Sequence, residues 1–170
     1  IDMEAHVRER LGYKMAVTHE KGFLTGNGAN QPLGVFTASA DGIDTGRDVS
    51  TGNTTTTIGG DGLIEAKYKV KAQYRMRNTT RWMFHRAGVK QISKLKDAEG
   101  QYLWRPGLTA NDPDSILAIP VMESEFAPNT FTTGKYVGLL GDWNFYLIAD
   151  SLDIEIIRAI LFSNSFRKPN

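Results

Sequence analysis

Residues 20–34 read EKGFLTGNGANQPLG, and this stretch is the part of the chain that bears most directly on the fold. Five of the residues between Lys21 and Gly34 are glycine or proline. Both residue types favour turns and interrupt regular elements. We therefore predict a tight irregular segment here, which ends at a short apolar piece, Val35-Phe36.

Before this segment, residues 2–19 are predicted to form one helix. Apolar residues recur at every fourth position, at Met3, Val7, Leu11 and Met15. This is the spacing of one helix face, and Asp2 suits the N-cap position. Charged residues interrupt the apolar stripe and leave it narrow. We therefore expect this helix to pack on one side only and to need a partner surface from elsewhere.

After it, residues 37–60 are rich in Gly, Ser, Thr and Asp and are predicted to be loop or edge structure. Residues 61–76 are ambiguous, because apolar and charged residues alternate as in a strand while another apolar set has helical spacing. The alternating residues are Tyr68, Val70, Ala72 and Tyr74; the helical set is Leu63, Ala66, Val70 and Tyr74. The period alone slightly favours a strand, whereas the scarcity of β-branched residues favours a helix.

The rest of the chain is predicted to alternate irregularly between short strands and one further helix. The helix is marked by Val89, Ile92 and Leu95 and ends near Lys96. The predicted strands are 81–84, 102–104, 115–123, 136–140, 145–148 and 154–160, with a turn at 97–100. Several strands and three helices without a regular strand–helix–strand alternation indicate an α+β fold.

Length and composition exclude several classes of protein. The chain has 170 residues, 20 Lys and Arg against 19 Asp and Glu, a net charge of +1 and no cysteine. Disulfides, thiolate zinc sites and thiol nucleophiles are therefore excluded. No stretch is apolar for long enough to predict a membrane span, so we expect no membrane partner. A compact form of this mass would expose about 8,300 Å² of surface.

The charges are unevenly distributed along the chain. Residues 66–96, the basic stretch, hold ten Lys or Arg and no acid, while residues 101–170 hold eight acids and five bases. Such a chain is suited to binding copies of itself, because each patch can face the other on a neighbour. Two ordinary solvated faces would give the same pattern. The interleaved aromatics (Tyr68, Tyr74, Trp82 and Phe84) leave a nucleic-acid-binding module using 66–96 as the alternative function.

No pattern in the sequence predicts a catalytic, cofactor or metal site. His6, His19 and His85 lack the spacing of a metal-binding pair and are interpreted as structural or solvent-facing. Asp44-Thr45-Gly46 has the aspartic-protease tripeptide in a loop-like context, which favours chance. Asp41, Asp44 and Asp48 do not have the spacing of a calcium loop. We predict that the protein is not an enzyme.

Several pieces, in order, resemble the major capsid proteins of tailed bacteriophages of the Hong Kong-type fold. The pieces are residues 20–34, Trp82-Met83, 95–106, Ile119-Pro120-Val121, Gly141-Asp142-Trp143 and 146–150. No single piece is decisive, but their order and spacing over residues 1 to about 165 make the match specific.

The resemblance implies an α+β shell protein with a long spine helix and no catalytic turnover. By that analogy residues 1–36 and 150–170 form a peripheral domain of spine helix and sheet strands, and 37–149 a mixed axial domain. It also implies that 61–76 is helical. The expected function is that of a major capsid subunit that self-assembles into the capsomers of an icosahedral phage or prophage head. Its partners would be copies of itself, other head proteins, and packaged DNA met on the inner face without sequence specificity. Its place would be the virion, after assembly in the bacterial host cytoplasm.

The family normally has an N-terminal arm and an extended loop before the spine helix, and the matching residues include neither. We therefore expect a core fragment, in which no crosslinking lysine is assigned and the spine helix is poorly covered. Our hypothesis for its subunit interface is that Arg75, Arg77 and Arg81 contact acids of a neighbouring copy around the capsomer axis.

Overall fold

The computed structural model describes residues 3–102 and 114–148, and these form an α+β fold. The elements in chain order are α1 (Met3–Thr25), a 3-10 turn (Thr45–Arg47), α2 (Gly60–Lys69), α3 (Ala72–Arg75), β1 (Thr80–Phe84), α4 (Arg86–Ser93), β2 (Ser115–Ile116), β3 (Ile119–Glu123), β4 (Gly138–Asp142) and a second 3-10 turn (Trp143–Phe145). The predicted fold class is confirmed.

The four strands form one mixed sheet in the order β2-β3-β1-β4. β1 runs parallel to β3, with Trp82 opposite Val121, and antiparallel to β4, with Trp82 opposite Leu140. Successive side chains of a strand point to opposite faces. Trp82 and Phe84 therefore lie on one face of the sheet, and Met83 lies on the other.

A hydrophobic core covers each face of this sheet. On the Trp82 face, α2 and α4 pack against the strands; its buried residues are Ile58, Leu63, Trp82, Phe84, Val89, Ile92, Ile116 and Ile119. On the Met83 face lies a smaller core of Leu24, Phe36, Met83 and Ala127. The carboxyl end of α1 is thus attached to the sheet through Leu24.

The chain turns back on the end of α1 immediately after the helix. α1 reaches Thr25, six residues beyond the predicted end at residue 19. Residues 34–36 return alongside it: the Val35 N–H donates to the Phe23 carbonyl at 3.0 Å and the Phe36 N–H to the Leu24 carbonyl at 3.0 Å. The last carbonyls of a helix have no intrahelical partners. The return segment supplies N–H donors for two of them. The prediction of an irregular segment was wrong for residues 21–25 and correct for residues 26–34.

The loop from Thr51 to Gly59 is held by side-chain amides. The Asn53 Oδ1 accepts from the Gly59 N–H at 2.8 Å. Gln91 on α4 accepts from the Ile58 N–H and donates to the Thr56 carbonyl, both at 3.3 Å. These bonds carry Ile58 into the core. The predicted loop over 37–60 is confirmed, and its end is fixed to α4.

Residues 61–76 are helical, as the resemblance implied, and the preference for a strand from the period of two was wrong. The helix is broken, however, because Val70 has an extended backbone between α2 and α3. The strand predicted at 81–84 is confirmed as β1. The helix predicted to end near Lys96 ends as α4 at Ser93.

The strand predicted over 115–123 is a hairpin, so that prediction was wrong as a single strand. β2 pairs with β3 through Ile116 opposite Ile119, and only Leu117 and Ala118 connect them. Both have positive φ, 54° and 64°, as the central residues of a type I′ turn require. A residue with a Cβ in this left-handed region costs about 1–2 kcal/mol. No sequence signal indicated a turn here, because neither residue is Gly, Asn or Asp.

The predictions after residue 135 are partly wrong. The strand predicted at 136–140 lies two residues later, as β4. Residues 145–148 are not a strand, because the Asp142 side chain accepts from the Asn144 N–H at 3.1 Å and starts a 3-10 turn. Of the predicted strand 102–104, only Tyr102 is described, in a bridge to Lys96. The predicted strand 154–160 lies outside the described residues.

Within residues 3–102 and 114–148, no helix has the length and apolar character needed to cross a membrane.

We predict that Gly26→Ala and Gly34→Ala each destabilise the fold by at least about 2 kcal/mol. A Cβ at Gly34 would lie 2.5 Å from the Gly26 nitrogen and 2.6 Å from the Leu24 carbonyl oxygen, and one at Gly26 would overlap the Gly22 and Pro32 carbonyl oxygens. All of these are backbone atoms that hold the return segment, so they cannot move aside. Urea unfolding measures the change.

The matched control is Gly12→Ala in α1, where a Cβ meets nothing within 4 Å. Alanine loses less backbone entropy than glycine when a helix forms. The free energy of unfolding of this variant should therefore rise by about 0.5–1 kcal/mol. Equal effects of the three substitutions would contradict the packing described for the return segment.

Candidate functional site

The three arginines of the interface hypothesis lie on successive elements and have different environments. Arg75 ends α3, Arg77 follows it, and Arg81 lies on β1. Within the described part of the chain, two of the three guanidinium groups are engaged and one is not.

Arg75 is held against α2. Its guanidinium carbon lies 4.7 Å above the centre of the Tyr68 ring, and its Nη1 donates to the Lys67 carbonyl at 3.4 Å. The side chain is half-buried. Tyr68 nevertheless stays 67% exposed, because the cation–π contact covers only one face of its ring.

Arg77 belongs to a small polar cluster with Asp142. Its Nη1 lies 3.5 Å from Asp142 Oδ2, and its guanidinium stands over the Phe145 ring at 5.4 Å. The Asp142 side chain is only 3% exposed and accepts from the Thr79 hydroxyl at 2.5 Å. The Thr79 hydroxyl lowers the pKa of Asp142 below its ordinary value; the Asn144 N–H and Arg77 add to this, while burial opposes it. Arg77 therefore has a partner inside its own chain.

The Arg81 guanidinium differs from the other two in having no partner among the residues that the structure describes. The Arg81 carbonyl accepts from the Trp143 indole N–H at 3.3 Å. Across the described ranges its guanidinium has no hydrogen bond or ion pair. Arg81 is half-buried on β1, and of the three predicted residues it is the one whose guanidinium has no partner among the described residues. The hypothesis that all three contact a neighbour stays a prediction.

The apolar stripe predicted on the first helix is exposed at Met3, Val7 and Leu11 and half-buried at Met15. Of the 23 residues of α1 only Leu24 is buried, while Met3 and Val7 are 68% and 59% exposed. The expectation of a poorly covered spine helix is confirmed.

Asp44, Asp48 and His85 have local structural roles, while His6, His19 and Asp41 are exposed. Asp44 accepts from the Gly46 N–H at 2.7 Å and starts the first 3-10 turn. Asp48 accepts from the Tyr136 hydroxyl at 2.8 Å, which raises the pKa of that tyrosine. His85 is buried, and its Nδ1 accepts from the Ala87 N–H at 3.0 Å to cap α4. Over 3–102 and 114–148, no three His, Cys, Asp or Glu side chains form a group that could hold a metal ion.

The aromatics of the basic stretch are mostly in the core. Trp82 and Phe84 are buried and stack on each other at 5.7 Å, and Tyr74 is half-buried. Only Tyr68 is well exposed. A platform for stacking single-stranded bases needs several exposed rings, so this geometry gives little support to the nucleic-acid-binding alternative.

Sequence reasoning missed one part of the surface. Ile64 and Tyr68 lie on the exposed face of α2, and Leu117 is exposed at the tip of the β2–β3 hairpin. Helical spacing could have shown that Ile64 and Tyr68 share a face. Nothing in the sequence placed Leu117 beside them.

The lowered pKa of Asp142 predicts an acid-labile contribution to stability. A carboxyl whose folded pKa lies below its unfolded value, near 3.8, stabilises the fold above the unfolded value and loses that contribution as pH falls through the folded value. The melting temperature of the wild type should therefore fall more between pH 5 and about pH 2–3 than the melting temperature of Asp142→Asn. Parallel pH profiles of the two proteins would contradict this assignment.

Comparisons with known proteins agree with the resemblance seen in the sequence. A scan against protein families matches the phage capsid family over residues 1–169. Two solved structures are similar: the capsid of an empty GTA particle and the capsid of a native GTA particle, each with fivefold symmetry. Their TM-scores are 0.65 and 0.67, each at 23% sequence identity over 84% of this chain.

This chain covers 50% and 55% of those two chains, so it spans about half their length. A search of curated proteins found no match. At this identity the structures establish the fold, and the family match covers almost every residue. The chain belongs to the phage capsid family, and its fold is that of a capsid protein.

Proposed function

We propose that the chain is a structural capsid subunit that associates with copies of itself into the capsomers of a phage or prophage head. The observation that carries this proposal is the uncovered α1. Residues 3–18 extend about 24 Å; of their apolar stripe, Met3, Val7 and Leu11 are exposed and Met15 is half-buried. Neighbouring copies in a shell would cover this helix.

The surface has the mixed character that reversible assembly needs. A shell subunit must be able to leave a wrong position, so each contact must be weak and many contacts must act together. Polar interfaces with complementary charge meet this need better than one large apolar patch. The basic stretch with its exposed cations, and α1 with its exposed Glu4–Arg8 pair at 2.6 Å, have this character.

The domain division is proposed from the same analogy. Residues 1–36 and 150–170 are the proposed peripheral domain, and 37–149 the axial domain. The core on the Met83 face joins the two proposed parts, because Leu24 and Phe36 pack there with Met83 and Ala127. In support of the division, the larger core on the Trp82 face lies wholly within the axial range.

The proposed setting is the virion shell, reached after assembly in the bacterial cytoplasm. Packaged DNA would face the shell interior without sequence specificity, and other head proteins would be further partners. The subunit would carry out no catalytic turnover, in keeping with a structural family.

Electron microscopy of the full-length protein tests the proposal. Purified protein at rising concentration should form rings, tubes or closed shells. Monomers at every concentration and salt condition would contradict it.

We predict that Arg81→Glu weakens self-association by about tenfold in dissociation constant, since reversal of an interface charge turns attraction into repulsion. Sedimentation velocity at physiological salt measures this. The control is Lys94→Glu, an exposed residue of the same basic stretch with the same change in charge. Arg77→Glu is not suitable, because it would place a second carboxylate against the buried Asp142. Equal weakening by Arg81→Glu and Lys94→Glu would show a general charge effect and no contact at Arg81.

A further inference from the structure

The turn between β2 and β3 holds two consecutive residues in a conformation that costs them energy. Leu117 and Ala118 have φ of 54° and 64°, where Asn-Gly would sit without strain. Strain of this kind persists only when its surroundings impose it, and it often marks a functional position. We therefore looked for the contacts that hold the turn in this conformation and for the side chain that it exposes.

Two donors from the rest of the molecule hold the turn. The Trp82 indole N–H, inside the core, donates to the Ile116 carbonyl at 3.0 Å. The Lys67 ammonium donates to the Leu117 carbonyl at 2.7 Å. The hairpin tip is thus fixed against α2, with the Leu117 side chain 38% exposed.

Lys67 joins the tip to the exposed face of α2. Ile64 and Tyr68 flank it on that helix, three positions before and one after, and share a face with each other at a spacing of four; both are exposed. Arg75 covers the Tyr68 ring. We call Ile64, Lys67, Tyr68, Arg75 and Leu117 the hairpin patch. It combines three exposed apolar side chains with two cations, and the exposed Glu65 lies beside it on α2.

We propose that the hairpin patch docks on a second copy of this chain, at the surface around Glu123. This inference rests on the proposed self-association and names one of its contacts. The two cations of the patch call for an unpaired carboxylate on the partner. Glu123 ends β3, is exposed, and has no ion-pair partner within residues 3–102 and 114–148. Because the basic stretch contains no acid of its own, its complement lies elsewhere on the same chain, and a neighbouring copy can present it.

A charge exchange tests the pairing. Arg75→Glu and Glu123→Lys should each raise the dissociation constant of self-association by about tenfold. The double variant Arg75→Glu with Glu123→Lys should restore it toward the wild-type value, since the opposite charges are only exchanged. Glu99→Lys, an exposed acid in the turn after α4, is the control and should have little effect. Failure of the double variant to restore association would overturn the pairing.

A second variant separates association from folding. Leu117→Asn with Ala118→Gly suits the turn, so the melting temperature should rise while association weakens by about fivefold. Ile43→Asn, in an exposed loop, is the control for loss of an exposed apolar side chain. Unchanged association in the turn variant, or a lower melting temperature, would overturn the inference and leave the proposed function standing. A wild-type protein that stays monomeric at every concentration would overturn both.

Discussion

The carboxyl end of α1 presents carbonyls that the helix itself cannot satisfy, and the chain satisfies them by turning back. The N–H groups of Val35 and Phe36 fill this role, and the close passage requires glycine at 26 and 34. Leu24 and Phe36 then enter the core on the Met83 face of the sheet. Since this junction is made at one end of the helix, residues 3–14 of α1 are left exposed.

The rest of the fold is organised by β1 at the centre of the sheet. Trp82 and Phe84 organise one core and Met83 the other. The Trp82 indole N–H also fixes the β2–β3 hairpin, so the same residue supports the core and the strained turn at the surface. The described part of the molecule consists of a sheet with two unequal cores, an exposed helix at one side and an exposed hairpin tip beside α2.

Local sequence patterns predicted the elements whose own hydrophobic spacing matches the structure that they form. The four-residue repeat of Met3 and Val7 indicated α1, and the apolar run at 81–84 indicated β1. Tertiary contacts decided the rest. α1 continues past Gly22 because the return segment pairs with its last turn. The turn at Leu117 and Ala118 has no turn residues, since Lys67 and Trp82 hold it from outside. The Asp142 side chain caps the 3-10 turn that follows β4, and this turn takes the place of the start of the strand predicted at 145–148.

The candidate interface could be predicted only as a region. The charge pattern indicated the basic stretch, yet it could not show that Arg77 is paired with Asp142 while Arg81 has no ion pair within the described ranges. The hairpin patch depends on two segments about fifty residues apart, which no local pattern connects.

If neighbouring copies cover α1, the protection of its residues must differ between the free subunit and the assembly. Hydrogen–deuterium exchange of the α1 amides, measured in the monomer and in the assembled protein, tests this most directly. The account predicts fast exchange for residues 3–18 in the monomer, slow exchange around Leu24, and new protection of 3–18 on assembly. Protection of 3–18 in the monomer, or unchanged exchange on assembly, would contradict it.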